Sequence, residues 1–381
     1  MSDDIPLPPL RWRHGNRFHL RVDGHAFFPA MLDAIAAAER QILLEMYLVE
    51  SGQTYQRFAA VLETAAKRGV RVCLLLDAFG CRGLNNTDRA RLQAQGVELV
   101  LYNPLQFGGE LRRNLFRDHR KLLVVDDACA FVGGAGITDD FDPASQTHYW
   151  HDVMVEIRGP LVADWQAIFS HNWERWAADD AAPIGIAAQL AKAGTQAGRC
   201  RLAGPGMRAN VKRSLLGRIT GARKRIWLAT AYFVPSWKLR RRLARAARRG
   251  VDVRLLLPGP YTDHPAVRHA GRRFYRRLLD AGVRIYEYQP RFLHAKVALI
   301  DDWVAVGSSN LDRWNLRWNL EANQEIDAPD FAADTAALFA ADFIDSIEYH
   351  AENWGQRSWL SRAAERFWGA VDRWVDRYAR R

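Results

Sequence analysis

Long apolar runs are missing from this chain: none approaches the roughly 18 residues that a membrane span requires. The opening MSDDIPLPPLRWRHGN lacks the basic-then-apolar layout of an export signal, so a cytoplasmic location is expected. Cysteine is sparse. Cys73, Cys81, Cys129 and Cys200 are scattered, with no CxxC pair, which argues against a disulfide framework or a zinc ribbon and reads as reduced thiols. No group of Asp, Glu or His has ligand-like spacing, so neither a metal nor another cofactor is expected. Acids are nearly absent from 208–254, where 15 Lys or Arg face the single Asp252. With a net charge of +11 and a pI near 9.7, this points to an anionic partner, either nucleic acid or an acidic membrane surface.

Lysine is the other scarcity, with seven residues against 47 arginines. Two of the seven nevertheless recur in one pattern, HRKLLVVD at 119–126 and HAKVALID at 294–301. A compact ammonium, where the chain otherwise uses planar guanidinium, suits a point charge on phosphate. The duplication extends beyond these octets. RQILLEMYLV, KRGVRVCLLLD and QGVELVLYNP in the first half are answered by KRIWLATAYFVP, RRGVDVRLLLP and AGVRIYEYQP in the second. Each series reads as strand, helix, strand, helix, strand, with a helix-ending glycine before each new strand. This predicts an α/β fold of two pseudo-symmetric lobes, each a mixed sheet flanked by helices, sharing one active site. The expected boundaries are 1–180 for the first lobe, 181–205 for an Ala- and Gly-rich linker, 206–350 for the second lobe and 351–381 for a C-terminal helix. The halves differ by an insertion: 14 residues at 105–118 stand where the second half has only 291–293, a candidate active-site loop.

Residues two apart on a strand share a face, so His119 lies beside Lys121 and His294 beside Lys296. If the lobes pack about a twofold axis, two imidazoles and two ammoniums meet. Such a pocket fits a phosphodiester: the lysines hold the non-bridging oxygens, one imidazole attacks phosphorus and the other protonates the leaving oxygen.

With GG after the first octet and GSSN after the second, the sequence resembles the phospholipase D superfamily, whose signature HxKxxxxD then Gly-Ser/Gly-x-Asn occurs twice. It stands here as His119, Lys121, Asp126, Gly133, Gly134 and as His294, Lys296, Asp301, Gly307, Ser308, Asn310. The first copy departs from the pattern, with Gly134 for Ser and Gly136 for Asn, so backbone N–H groups or Thr138 are expected to replace those contacts. LLEMYLVE, RDHRKLLVVDD, ATAYFVP, FLHAKVALIDD and VGSSNLD are similar to bacterial phospholipase-type cardiolipin synthases, over about residues 16–350. The resemblance implies metal-free, two-step phosphodiester exchange through a phosphohistidine. His119 would attack and His294 act as acid and then base; pseudo-symmetry leaves the reverse open. Asp126 and Asp301 belong to the catalytic motif, but seven residues beyond the histidines they are expected to fix a turn. Orienting carboxylates are expected downstream: Glu321, 27 residues after His294, and Asp152 at the matching place in the first half, each serving the histidine of its own half. Ser308, Asn310, Gly133, Gly134 and Tyr232 are candidates for substrate contact. A buried aromatic and a paired acid explain Tyr232 and Glu45 about as well. His148, His151, His171, His264 and His269 lack partner spacing and read as surface or capped-core residues.

The stretch 357–381 places Leu360, Ala364, Phe367, Trp368, Val371, Trp374, Val375 and Tyr378 at helical spacing among seven arginines. A basic, Trp-rich amphipathic helix suits a bilayer interface, although docking on the core explains it equally. The expectation is a peripheral enzyme on the inner face of the cell membrane that uses anionic phospholipids, with no nucleic acid partner. It would move a phosphatidyl group from phosphatidylglycerol to a second hydroxyl. The alternatives are a phosphodiesterase or nuclease of the same superfamily, and a non-catalytic binder.

Overall fold

The computed structural model describes residues 10–106, 108, 111–204, 210–312, 318–354 and 368, and its helices stop where the glycines lie. The helices Gln53–Lys67 and Trp237–Arg248 end at Gly69 (φ 90°) and Gly250 (φ 87°), a region side chains avoid. After each glycine the next residue reaches back: Val70 N–H donates to Ala65 and Val251 N–H to Ala246, closing the same cap in both halves. The chain then enters an inner strand of Val and Leu.

Fifteen strands are present among the described residues. The first lobe holds β1 (Arg13–Val22), β2 (Gln41–Met46), β3 (Arg71–Asp77), β4 (Glu98–Tyr102), β5 (Lys121–Val125), β6 (Cys129–Gly133) and β7 (Val153–Arg158). The second holds β8 (Gln196–Ala203), β9 (Arg225–Ala229), β10 (Asp252–Pro258), β11 (Arg284–Tyr288), β12 (Val297–Ile300), β13 (Trp303–Gly307), β14 (Glu321–Asp327) and β15 (Ser346–Tyr349). Their order is β15-β11-β10-β9-β12-β13-β14-β8-β1-β7-β6-β5-β2-β3-β4. Read outward from the β8–β1 seam, the two lobes have the same strand order, with β15 as an extra edge. In each, three parallel strands (β2-β3-β4 or β9-β10-β11) adjoin an antiparallel set. β8 lies inside the proposed 181–205 linker. Its alternating burial pairs it with both β14 and β1, so the linker is shorter than the composition suggested.

Three apolar layers result. Helices Leu161–Trp176 and Pro329–Ile344 share a central core with the facing sheet surfaces of both lobes, through Trp165, Phe169, Trp173, Phe331 and Phe339. The outer sheet face of the first lobe is covered by helices Gly24–Ala36 and Gln53–Lys67, that of the second by Asn210–Gly221 and Trp237–Arg248. A buried bond from Trp165 Nε1 to Gln324 Oε1 (3.0 Å) ties the lobes. Among the described residues no helix is long and apolar enough to cross a membrane. The proposed C-terminal helix, apart from 351–354 and 368, lies outside the described residues.

Candidate active site

The two motif strands enter the lobe interface through matching bridges. In the first lobe His119 N–H donates to the Leu320 carbonyl (2.9 Å) and Leu320 N–H to that of Arg117 (2.8 Å). In the second, His294 N–H donates to the His151 carbonyl (2.8 Å) and His151 N–H to that of Phe292 (2.8 Å). Each histidine is thus stitched to the other lobe one residue before an acid. His119 Nδ1 lies 3.1 and 3.2 Å from the Glu321 oxygens, and His294 Nδ1 lies 2.6 Å from Asp152 Oδ2. This corrects the pairing read from spacing: the carboxylates cross between lobes, because the bridges place Leu320 and His151 beside the opposite histidines. Both histidines leave Nε2 as the nitrogen not used by the carboxylate.

Each lysine folds back on its own motif. Lys121 Nζ donates to the His119 carbonyl (2.7 Å), and Lys296 Nζ donates to that of His294 while sitting 2.8 and 3.1 Å from its ring nitrogens. All four groups are buried. Burial, then Lys296, push Lys121 down to about 7. Burial lowers Lys296 to about 8 against the pull of Asp152 and Glu321. Burial and Lys296 take His294 to about 4, and burial and Lys121 lower His119. Lys296 acts on His119 and Lys121 on His294, so the four groups are within electrostatic reach across the interface. Asp152 stays below the usual carboxylate value: burial pushes it up, but Lys296 and the His294 bond outweigh that. The resting site therefore carries neutral imidazoles beside cations, which suits an anionic ligand. Among the described residues no three His, Cys, Asp or Glu side chains group as a metal site requires.

The remaining motif residues have other tasks. Asp126 and Asp301 do not touch the histidines. Seven extended residues, about 23 Å, carry them to the far end of the strand. There each, at φ 49° or 51°, accepts three backbone N–H groups: Asp126 from Glu39, Arg40 and Gln41, Asp301 from Arg223, Lys224 and Arg225. They clamp the turn before β2 and β9. Ser308 donates to Glu321 and accepts from Ala322 N–H (3.0 Å), so it supports the carboxylate. Gly134 is its counterpart. A Cβ there would stand 2.5 Å from both Asp152 oxygens, which explains why the first copy has no serine. Gly133 packs as closely on Val153 and Met154. Asn310 is fully buried, accepts from Thr230 Oγ1 (3.3 Å) and leaves Nδ2 without a partner among the described residues. The Tyr232 hydroxyl donates to Asp263 (2.5 Å), its ring 6.5 Å from that of Phe292. Glu45 is a paired acid on Arg120 (3.2 Å) and Asn172 (2.8 Å).

Several contributors escaped sequence reasoning. Tyr47 lies 4.6 Å from the His119 ring, with Lys121 Nζ 5.0 Å over its face. Phe141, Trp150 and Phe292 surround His294 at 5.1–5.6 Å. His151, expected at the surface or in a capped core, is buried between Asp23 (2.7 Å) and Asp342 (3.2 Å). The insertion 105–118 is anchored where described: Asn103 Nδ2 holds the carbonyls of Arg113 and Phe116 (2.8 and 2.7 Å), and Phe116 stacks on Trp318 of the other lobe.

A family model described as cardiolipin synthase, phospholipase D-like domain, matches residues 31–178 and 215–343. The chain belongs to this family. It is 36% identical over 322 residues to cardiolipin synthase B of Salmonella typhi, covering 80% of this chain and 75% of that one. It is 35% identical over 345 residues to cardiolipin synthase A of Pseudomonas aeruginosa (strain LESB58), covering 89% and 69%. In fold it is similar to the phosphatidylserine synthase of Haemophilus influenzae Rd KW20, with a TM-score of 0.71 at 12% identity over 98% of this chain and 96% of that one. The polyphosphate kinase of Porphyromonas gingivalis shares the fold at a TM-score of 0.59 and 14% identity, covering 88% and 49%. The doubled motif of this cardiolipin synthase-family enzyme is therefore that of a phospholipase D-superfamily protein, with each histidine paired to a carboxylate of the other lobe.

Proposed function

We propose that this enzyme makes cardiolipin by phosphatidyl transfer without a metal. The observation that carries this reading is the meeting of two crossed His–carboxylate pairs with two buried lysines. Glu321 on Nδ1 fixes the His119 tautomer that leaves an Nε2 lone pair for attack. His119 Nε2 bonds to the phosphorus of phosphatidylglycerol while the P–O bond to the headgroup glycerol breaks. His294, protonated on Nε2 and held by Asp152, gives that proton to the departing glycerol oxygen. A hydroxyl of a second phosphatidylglycerol then attacks phosphorus. His294 takes its proton, the P–N bond breaks and cardiolipin leaves. Free of ligand, both imidazoles are held neutral by burial and the lysines; the phosphodiester anion offsets those cations and so favours the protonated His294 that the first step needs. The lysines hold the non-bridging oxygens and counter the charge that develops in the transition state.

The substrate is proposed to come from an anionic bilayer, met peripherally at the cytoplasmic face of the inner membrane. Helix Trp237–Arg248 supports this: Leu239, Leu243 and Ala246 pack inward, while Trp237 is 59% exposed beside a cationic face. The test is to incubate pure protein with phosphatidylglycerol vesicles, with and without chelator, and to identify the lipids by mass spectrometry. Cardiolipin and glycerol are expected in both, and neither is expected from His119→Ala or His294→Ala. Full activity in either variant, or activity only without chelator, overturns the reading.

A further inference from the structure

Below Lys296 the second lobe has a pocket at a place that side chains fill in the first lobe. On the outer sheet face, Leu123 of β5 pairs across the strands with Phe131 of β6, and both are sealed. The equivalent cross-strand pair in β12 and β13 is Ala298 and Ala305, which keep 8% and 6% exposure in the middle of a sheet. The space released by two small residues is not refilled. It leaves an open pocket between the sheet and the helices Asn210–Gly221 and Trp237–Arg248. Leu215, Leu216, Leu228, Leu239 and Trp303 make its walls apolar, and Lys296 lies at one end. Lys296 to Ile300, the cross-strand partner of Trp303, is four extended residues, so the pocket runs about 13 Å. Lys212, Ser236, Asp312, Asn323 and Glu325 also border it, and among its polar atoms Ser309 Oγ and Asn310 Nδ2 are buried and without a hydrogen-bond partner among the described residues.

An apolar slot ending in two unpaired polar groups and the catalytic lysine matches a phosphate ester whose glycerol backbone carries a long hydrocarbon. We infer that this pocket holds one acyl chain of the phospholipid, with Ser309 and Asn310 facing its ester oxygens. The inference rests on the proposed phosphatidyl transfer and adds where the donor's chain lies. It also gives the two lobes different tasks, since Leu123 and Phe131 fill the equivalent place in the first lobe.

Two experiments test it. In the first, kcat/KM is measured for monomeric phosphatidylglycerols of six- and eight-carbon chains. One buried methylene is worth about fourfold, so at least a tenfold gain is expected in the wild type. Ala298→Leu with Ala305→Phe, which restores the first lobe's pair, is expected to abolish that gain. The same gain in a folded filled variant overturns the inference. In the second, which serves even if the filled variant does not fold, phosphatidylglycerol with a diazirine near the end of one chain is photo-crosslinked to the intact wild type. Labelling of Leu215, Leu216 or Leu239 supports the pocket; labelling confined to other surfaces overturns it. Crosslinking needs binding but not turnover. A wild type that labels these leucines yet makes no cardiolipin supports the pocket and counts against the proposed reaction.

Discussion

His119 Nδ1 sits 3.1 Å from a Glu321 oxygen, 202 residues away along the chain and in the opposite lobe. The His–carboxylate pairs therefore do not follow the lobes: each consists of one lobe's histidine and the other's carboxylate. If His119 is the nucleophile, Glu321→Gln should slow formation of the phosphohistidine. Asp152→Asn should resemble His294→Ala even though Asp152 shares a lobe with His119. Each amide variant is expected to lose about 10²–10⁴-fold in kcat, as when a histidine loses its orienting acid. With a phosphodiester bearing a good leaving group, Asp152→Asn should accumulate phosphorylated His119 and Glu321→Gln should not, read by phosphopeptide mass spectrometry. The opposite pattern would assign the nucleophile to His294.

Asp126 and Asp301 should matter to folding and little to chemistry. Each holds three backbone N–H groups from a left-handed conformation that alanine disfavours. Alanine at either is expected to lower stability by about 2–4 kcal/mol, from the lost hydrogen bonds and the strain. Asparagine tolerates that conformation and keeps an acceptor, so it should cost about 1 kcal/mol. Urea melts give the stabilities, and kcat of the folded variants should stay within about twofold of wild type. A loss of kcat like that of His119→Ala, with stability intact, would return these acids to the reaction.

Much of this architecture was legible because it was written twice. The strand–helix alternation, the glycine caps and the HxK pairs are local patterns, and repetition at half-length removed their ambiguity. The crossing of Glu321 and Asp152 was not legible. Spacing places each acid after its own histidine, and only the Leu320 and His151 bridges carry them across. β8 was hidden in the same way: QAGRCRLA looks like linker until β1 and β14 supply its partners. His151 shows the limit most sharply, since Asp23 and Asp342 are 128 and 191 residues distant.

The His151 clamp should appear as a pH dependence of stability. Burial alone would lower its pKa, but bonds to Asp23 and Asp342 overcome that and hold it at about 10. The folded value lies above the unfolded value of about 6.5. The contribution is thus fully present below pH 6.5 and is lost as pH rises toward 10. His151→Gln leaves Asp342 without this imidazolium and should cost about 3–5 kcal/mol near pH 6, as breaking a buried pair does. The gap between variant and wild type in urea melts should narrow steadily from pH 6.5 to 10. A gap independent of pH would mean that His151 is neutral in the folded protein.

Lys121 and Lys296 should set the alkaline limit of the proposed reaction. Burial, joined at Lys121 by repulsion from Lys296, brings them to about 7 and about 8, so the free site loses cations just above neutrality, whereas ordinary lysines would keep theirs to pH 10. Because kcat/KM reports the free enzyme, it should fall as pH rises through 7–8. Bound phosphodiester favours the ammonium forms, so the alkaline limb of kcat should lie higher. On the acid side the nucleophile must be neutral; burial and Lys121 lower the His119 value, which places the acid limb below the usual histidine pH of about 6.5. Lys121→Arg removes one titration, because a guanidinium keeps its proton, and should move the alkaline limb of kcat/KM toward that of Lys296 alone. It should still bind phosphatidylglycerol vesicles, yet lose at least about tenfold in kcat, because a planar fork cannot replace a point charge between two imidazoles. If the alkaline limb stays fixed in Lys121→Arg, Lys121 is not a lysine whose charge governs substrate capture.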